Sequence, residues 1–163
     1  MVVLGIDPGL AIVGYGIIEQ IGNKYNVLDY GVITTPAKIS YAIRIKMIYD
    51  SMEKLLNTYT IDEVAIEELF FNKNVKTAID VAQARGAIVL SCMNNNLEVF
   101  EYTPLQVKQG ICGYGRADKK QVQSMVKNLL NLKEIPKPDD AADALAIAIG
   151  HLSTNRFSKM FKV

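Results

Sequence analysis

The chain has one histidine, two cysteines and no tryptophan in 163 residues. Each scarcity removes a class of chemistry. A single histidine, His151, rules out an HExxH zinc site. A Ser-His-Asp or Cys-His system would need that same residue, and no nucleophile-elbow motif accompanies it. Cys92 and Cys112 form no CxxC pair, so neither a disulfide framework nor a zinc site is indicated. A reducing cytoplasm fits that usage. Uncharged apolar stretches such as residues 144–150 are far short of the roughly 20 residues that span a bilayer. The N-terminal residues reach Asp7 without a basic region, so no signal peptide is expected. A cytoplasmic chain with no membrane partner is the expectation. Charge of one sign is also missing: the formal net charge is +1. Taken alone, that balance counts against a nucleic-acid partner, since such domains are usually basic.

What is present is a well-patterned globular chain, half of it apolar. It is long enough to bury about 70% of its unfolded surface. Residues 2–6 read as a buried strand stopped by Asp7-Pro8-Gly9. Residues 11–19 and 24–34 read as two more strands, joined by the hairpin signal Gly22-Asn23. The period then changes. Ile43, Met47, Ile48, Met52, Leu55 and Leu56 mark an amphipathic helix within residues 39–59. Residues 63–66 form a fourth strand, residues 73–94 a helix, and residues 98–102 a fifth strand. Thr103 and Asp118 cap two further helices. Gly110, Gly113 and Gly115 mark a loop between them. Residues 139–152 form the last helix, with His151 expected at its end or on the surface. The order βββαβαβααα implies an α/β fold. Its mixed five-stranded sheet combines a three-strand antiparallel meander with two parallel strands, flanked by helices on both faces. Residues 1–153 are expected to form one domain, followed by a short basic tail over 154–163.

The carboxylates stand at informative places. Asp7 closes the first strand, where open α/β sheets present ligands, although a turn Asp before Pro-Gly is common. Glu67 and Glu68 close the fourth strand. Neighbouring strand residues point to opposite faces, so one of the two shares a side with Asp7. The last helix begins Asp139-Asp140-Ala141-Ala142-Asp143 and is then almost wholly apolar. Asp139 or Asp140 suits a helix N-terminus. Asp143 lies between alanines on a helix that must pack on the sheet, where a lone carboxylate is costly without a compensating cation. Asp140 and Asp143, three residues apart, share a helix face. Clustered carboxylates are hard oxygen ligands for Mg²⁺ or Mn²⁺, and paired ions of this kind drive phosphodiester hydrolysis.

An ordered set of motifs is similar to the RuvC family of Holliday junction resolvases. It comprises Gly5-Ile6-Asp7-Pro8-Gly9, Gly14-Tyr15-Gly16, Ala65-Ile66-Glu67 with Phe70, and Gln83-Ala84-Arg85-Gly86. Gln106-Val107-Lys108-Gln109, Lys119 with Gln121-Val122-Gln123, and the run from Asp140 to Ala146 complete it. The resemblance implies an RNase H-like fold and catalytic, metal-binding carboxylates at Asp7, Glu67, Asp140 and Asp143. It implies two Mg²⁺ ions, with Mn²⁺ as a substitute, and four-way junction DNA as substrate. A homodimer making two symmetric nicks with 5′-phosphate ends is implied as well, as is contact with the RuvA-RuvB branch-migration complex. It favours Glu67 over Glu68, and it makes Phe70 a contact for unpaired bases. Lys108 and Lys119 match basic positions near the scissile strand, and Arg85 joins the DNA contacts. Asp139 and Glu68 are extra acids beside ligand positions.

The charge distribution then reads differently. Residues 104–138 hold seven basic residues, among them Lys108, Arg116, Lys119 and Lys120, against two acidic ones. A lysine-rich helix is often only a solvated face, but beside a carboxylate site it suits phosphate. Phe70-Phe71 is either a core plug or a stacking platform. The small-residue stretch 78–87 is either a dimer interface or sheet packing. Competing functions are another RNase H-fold nuclease acting on RNA or RNA-DNA hybrids, and a non-catalytic branched-DNA binding module. An actin-like ATPase lacks a second phosphate loop.

Overall fold

The computed structural model describes residues 1–69 and 75–154, the side chains of 75–77 excepted. The strands are β1 (Val2–Asp7), β2 (Ile12–Ile21), β3 (Lys24–Thr34), β4 (Glu63–Glu67) and β5 (Glu98–Tyr102). The helices are α1 (Tyr41–Thr58), α2 (Val75–Asn94), α3 (Pro104–Cys112), α4 (Lys119–Leu129) and α5 (Asp139–Thr154). The sheet runs β3-β2-β1-β4-β5. β1 pairs antiparallel with β2 and β2 with β3, whereas β4 runs parallel to both β1 and β5. The expected architecture is therefore the observed one. The expected start of α2 at residue 73 and the basic tail from 155 onward lie outside the described residues.

Alternation along the strands divides the core in two. Leu4, Ile6, Val64, Ile66 and Val99 face α1 and α2, meeting Ile48, Met52, Ala84, Ile88 and Cys92. Val3, Ala65, Phe100 and Tyr102 face the other way, toward α3, α4 and α5. From residue 141 to residue 152 of α5, every residue except Asp143 is buried. A helix apolar on all sides must be covered all round, and this one is. Its close approach depends on bare backbone. A Cβ at Gly5 would collide with the Ala144 carbonyl, and one at Gly14 with the Asp140 carbonyl. Two glycines thus let the N-terminal turns of α5 settle over the ends of β1 and β2.

The helix boundaries follow local chemistry. The Thr103 hydroxyl accepts from the Gln106 backbone N–H, and the Gln106 side chain returns to the Thr103 N–H. Asp118 and Gln121 make the same reciprocal box for α4. The expected glycine loop is shorter than its three glycines suggest. Gly110 belongs to α3, where its missing side chain lets that helix cross α5 at Gly150. Gly113 ends α3 at a φ of 79°, a left-handed cap that favours glycine.

His151 differs from expectation. It lies in the last turn of α5, yet it is fully buried rather than at the surface. The Tyr102 hydroxyl meets its Nδ1 at 2.7 Å, and Glu63 Oε2 meets its Nε2 at 2.6 Å. The reason is the same all-round covering of α5: a residue in phase with Ala144 and Ala148 turns inward toward the sheet.

Candidate active site

The register between β1 and β4 sets Ile6 opposite Ile66, so the next residues, Asp7 and Glu67, end neighbouring parallel strands side by side. Both continue the alternation of Gly5 and Ala65, so both face α5. Glu68 falls on the opposite side and is exposed; its backbone N–H donates to the Tyr102 carbonyl. The strand pleat thus pairs Glu67, not Glu68, with Asp7. Asp140 and Asp143 arrive from above on the first turns of α5.

Electrostatics show how close the four acids are. Burial first, and then the charges of Glu67, Asp143 and Asp140, together lift the Asp7 carboxyl to about 7. Glu67 is raised as well, by burial and then by Asp143, while its hydrogen bond with Asp7 opposes the rise. Asp143 is raised by burial, and Lys119 beside it works in the other direction. The cluster therefore carries more negative charge than its surroundings balance. Among the described residues, no three His, Cys, Asp or Glu side chains are arranged to hold a metal ion as they stand. A lysine takes part of that place: Lys119 Nζ lies 3.0 Å from Asp139 Oδ2 and 3.3 Å from Asp143 Oδ2.

A cleft of about 250 Å³ opens beside the acids. Glu67, Asp143, Lys108 and Lys119 supply its polar lining, over a floor that includes Val107, Val122, Ala146 and Ile147. Two of the expected cations thus border the carboxylates. Arg116 and Lys120 are exposed, one in the α3–α4 connection and the other on α4. Arg85 is placed elsewhere. It projects from α2 on the opposite face of the sheet, is only 15% exposed, and sits 2.9 Å from Glu101 Oε2. The contact is close but poorly angled, for neither Nε nor Nη2 makes a hydrogen bond. Its charge is taken up by Glu101 rather than offered beside the acids. Phe70 lies outside the described residues. Gln123, which the sequence motif alone gives no role, donates from its Nε2 to Asp139 Oδ1 at 3.2 Å. Asp139 therefore faces α4, which explains how an extra acid stands beside Asp140 without crowding the cluster.

Residues 3–151 match the family model described as crossover junction endodeoxyribonuclease RuvC. The chain belongs to the RuvC family. The RuvC of Alkaliphilus oremlandii is 62% identical over 163 residues, covering 100% of this chain and 99% of that one. That of Clostridioides difficile is 59% identical, covering 99% and 96%. The structure of Thermus thermophilus RuvC in complex with Holliday junction substrate superposes on the whole of both chains, with a TM-score of 0.92 at 33% identity. The RuvC fold is thus shared. No helix among the described residues is long and apolar enough to cross a membrane.

Proposed function

We propose that this chain resolves four-way DNA junctions, cutting phosphodiester bonds with Asp7, Glu67, Asp140 and Asp143 as the ligands of divalent cations. The observation that carries the reading is the surplus of negative charge: four carboxylates share one corner of the fold, and among the described residues a single lysine is in contact to balance them. An all-oxygen donor set of that charge fits Mg²⁺ or Mn²⁺, which take hard ligands. When bound, a pair of such ions supplies an activated water and support for the departing 3′ oxygen, leaving a 5′-phosphate. The chain's own groups do the rest. Asp7 and Glu67, on rigid strand ends, fix the depth at which the scissile phosphate sits. Lys108 and Lys119 border the cleft beside that point, where they steer the strand and offset charge that builds on the phosphate. Arg116 and Lys120 extend the cationic border, and Phe70 stacks on an unpaired base near the junction centre. The junction as substrate is supported by the DNA-bound Thermus thermophilus relative.

Two equivalent nicks in a two-fold symmetric junction call for a two-fold dimer. α2 supplies a seam for it. Ala84, Ile88 and Cys92 pack on the sheet, while Ile79, Gln83, Gly86, Leu90 and Met93 stand exposed at alternating four- and three-residue steps. That spacing is a coiled-coil-like stripe. A cytoplasmic homodimer that takes its junctions from the RuvA-RuvB complex completes the proposal.

The test is incubation with a synthetic four-way junction and Mg²⁺. Paired, symmetric, ligatable nicks are expected. Cleavage of an RNA-DNA hybrid in preference to the junction would favour the alternative nuclease. Tight junction binding with no nicking would favour the binding module.

A further inference from the structure

The ion pairs of Lys119 separate two acids that stand close together in sequence. Asp143 lines the cleft together with Glu67. Asp139 does not line it; it is held by α4 from two sides, by Lys119 at 3.0 Å and by the Gln123 side chain at 3.2 Å. Lys119 thus has one partner inside the cleft and one at its edge. Besides its closer contact with Asp139, its ammonium donates a hydrogen bond to Asp143 Oδ2, at 3.3 Å. An ammonium and a divalent cation cannot both occupy that oxygen lone pair. We infer that Lys119 is a built-in counter-ion: it covers Asp143 before a divalent cation enters, and on entry it swings off Asp143 while staying tethered to Asp139. The inference rests on the metal-ligand reading above and deepens it. Asp139 and Gln123 become positioning residues, keeping the released ammonium beside the cleft rather than loose in solvent. Holding one charge between two anchors also limits the entropy lost when it turns to a phosphate.

The two anchors predict an affinity effect without DNA. Titration calorimetry with Mn²⁺ alone, on the full chain, compares wild type with Lys119→Met and Lys120→Met. Lys119 is 53% exposed, so its replacement does not threaten the core. Removing the competitor should tighten Mn²⁺ binding about fivefold, the scale of one half-exposed ion pair. Lys120→Met removes the same charge one residue away and should change affinity less than about twofold. Wild type that binds Mn²⁺, with no gain in Lys119→Met or an equal gain in Lys120→Met, overturns the counter-ion role alone. Failure of all three proteins to bind Mn²⁺ overturns both it and the metal-ligand reading.

Discussion

Helix α5 carries a polar cluster near each end, and the two are resolved in opposite ways. Near its C-terminus, His151 is enclosed by Tyr102, Glu63 and the Phe100 ring, whose centroid lies 4.9 Å from its own. Both ring nitrogens have partners, and burial holds the imidazole below its ordinary pKa against the pull of Glu63. Near its N-terminus, four acids meet one lysine, and burial with mutual repulsion lifts Asp7 to about 7. A buried polar group whose partners all come from the chain is structure. A buried group whose charge the chain leaves unbalanced weakens the fold, and it marks where a ligand is meant to complete the site.

That contrast can be broken by exchanging the expected consequences of mutation at the two ends. The largest effect belongs to the N-terminal cluster. Glu67→Gln or Asp143→Asn should slow nicking about 1,000-fold, or ~4 kcal/mol in the barrier, with no loss of thermal stability. Single-turnover cleavage and a melting curve check both halves. His151→Ala should do the reverse. It leaves a cavity and two stranded polar groups, so chemical denaturation should show about 3 kcal/mol lost. The protein that remains folded should nick within about threefold of wild type. A stable His151→Ala protein that no longer nicks would erase the distinction between the ends.

A smaller effect follows from protonation. The folded-state pKa of Asp7 is raised from 3.8 to about 7, so between those values the native chain keeps a proton that the unfolded chain has lost. Without metal, stability attributable to this group is present below the unfolded value and is lost as pH rises through the window. Asp7→Asn should therefore stabilise the metal-free protein at pH 8 by about 2–4 kcal/mol and do little at pH 4. Melting curves in chelator at the two pH values would show it; an equal gain at both would point to packing instead. The smallest effect is at the α4–α5 link. Gln123→Ala should cost about 0.5–1 kcal/mol, seen as a small fall in melting temperature.

Much of the site could be read from the sequence because strand ends and helix faces are local properties. Asp7 and Glu67 close apolar runs, and Asp140 and Asp143 recur at helical spacing, so their convergence needed only the order of elements. The capping residues Thr103 and Asp118 were legible for the same reason. Arg85 was not, although its position was recoverable. It stands between Ala84 and Ile88, which mark the sheet-facing side of α2, and Glu101 shares a strand face with Val99. Two periodicities had to be combined to see that pair. His151 was misplaced because a helix end is usually exposed, whereas α5 is covered to its last turns. The links of Lys119 and Gln123 to Asp139 depend on how α4 docks against α5, which no local pattern encodes. The net charge of +1 concealed all of this, since the acidic corner nearly cancels the basic surplus of residues 104–138.

The most direct measurement is of Asp7→Asn on a synthetic four-way junction. Binding is followed by gel shift in chelator, and cleavage is followed after adding Mg²⁺. Junction binding close to wild type with no nicks is the expected result. An Asp7→Asn protein that still makes paired nicks in Mg²⁺ would contradict the assignment of the carboxylate corner as the catalytic centre.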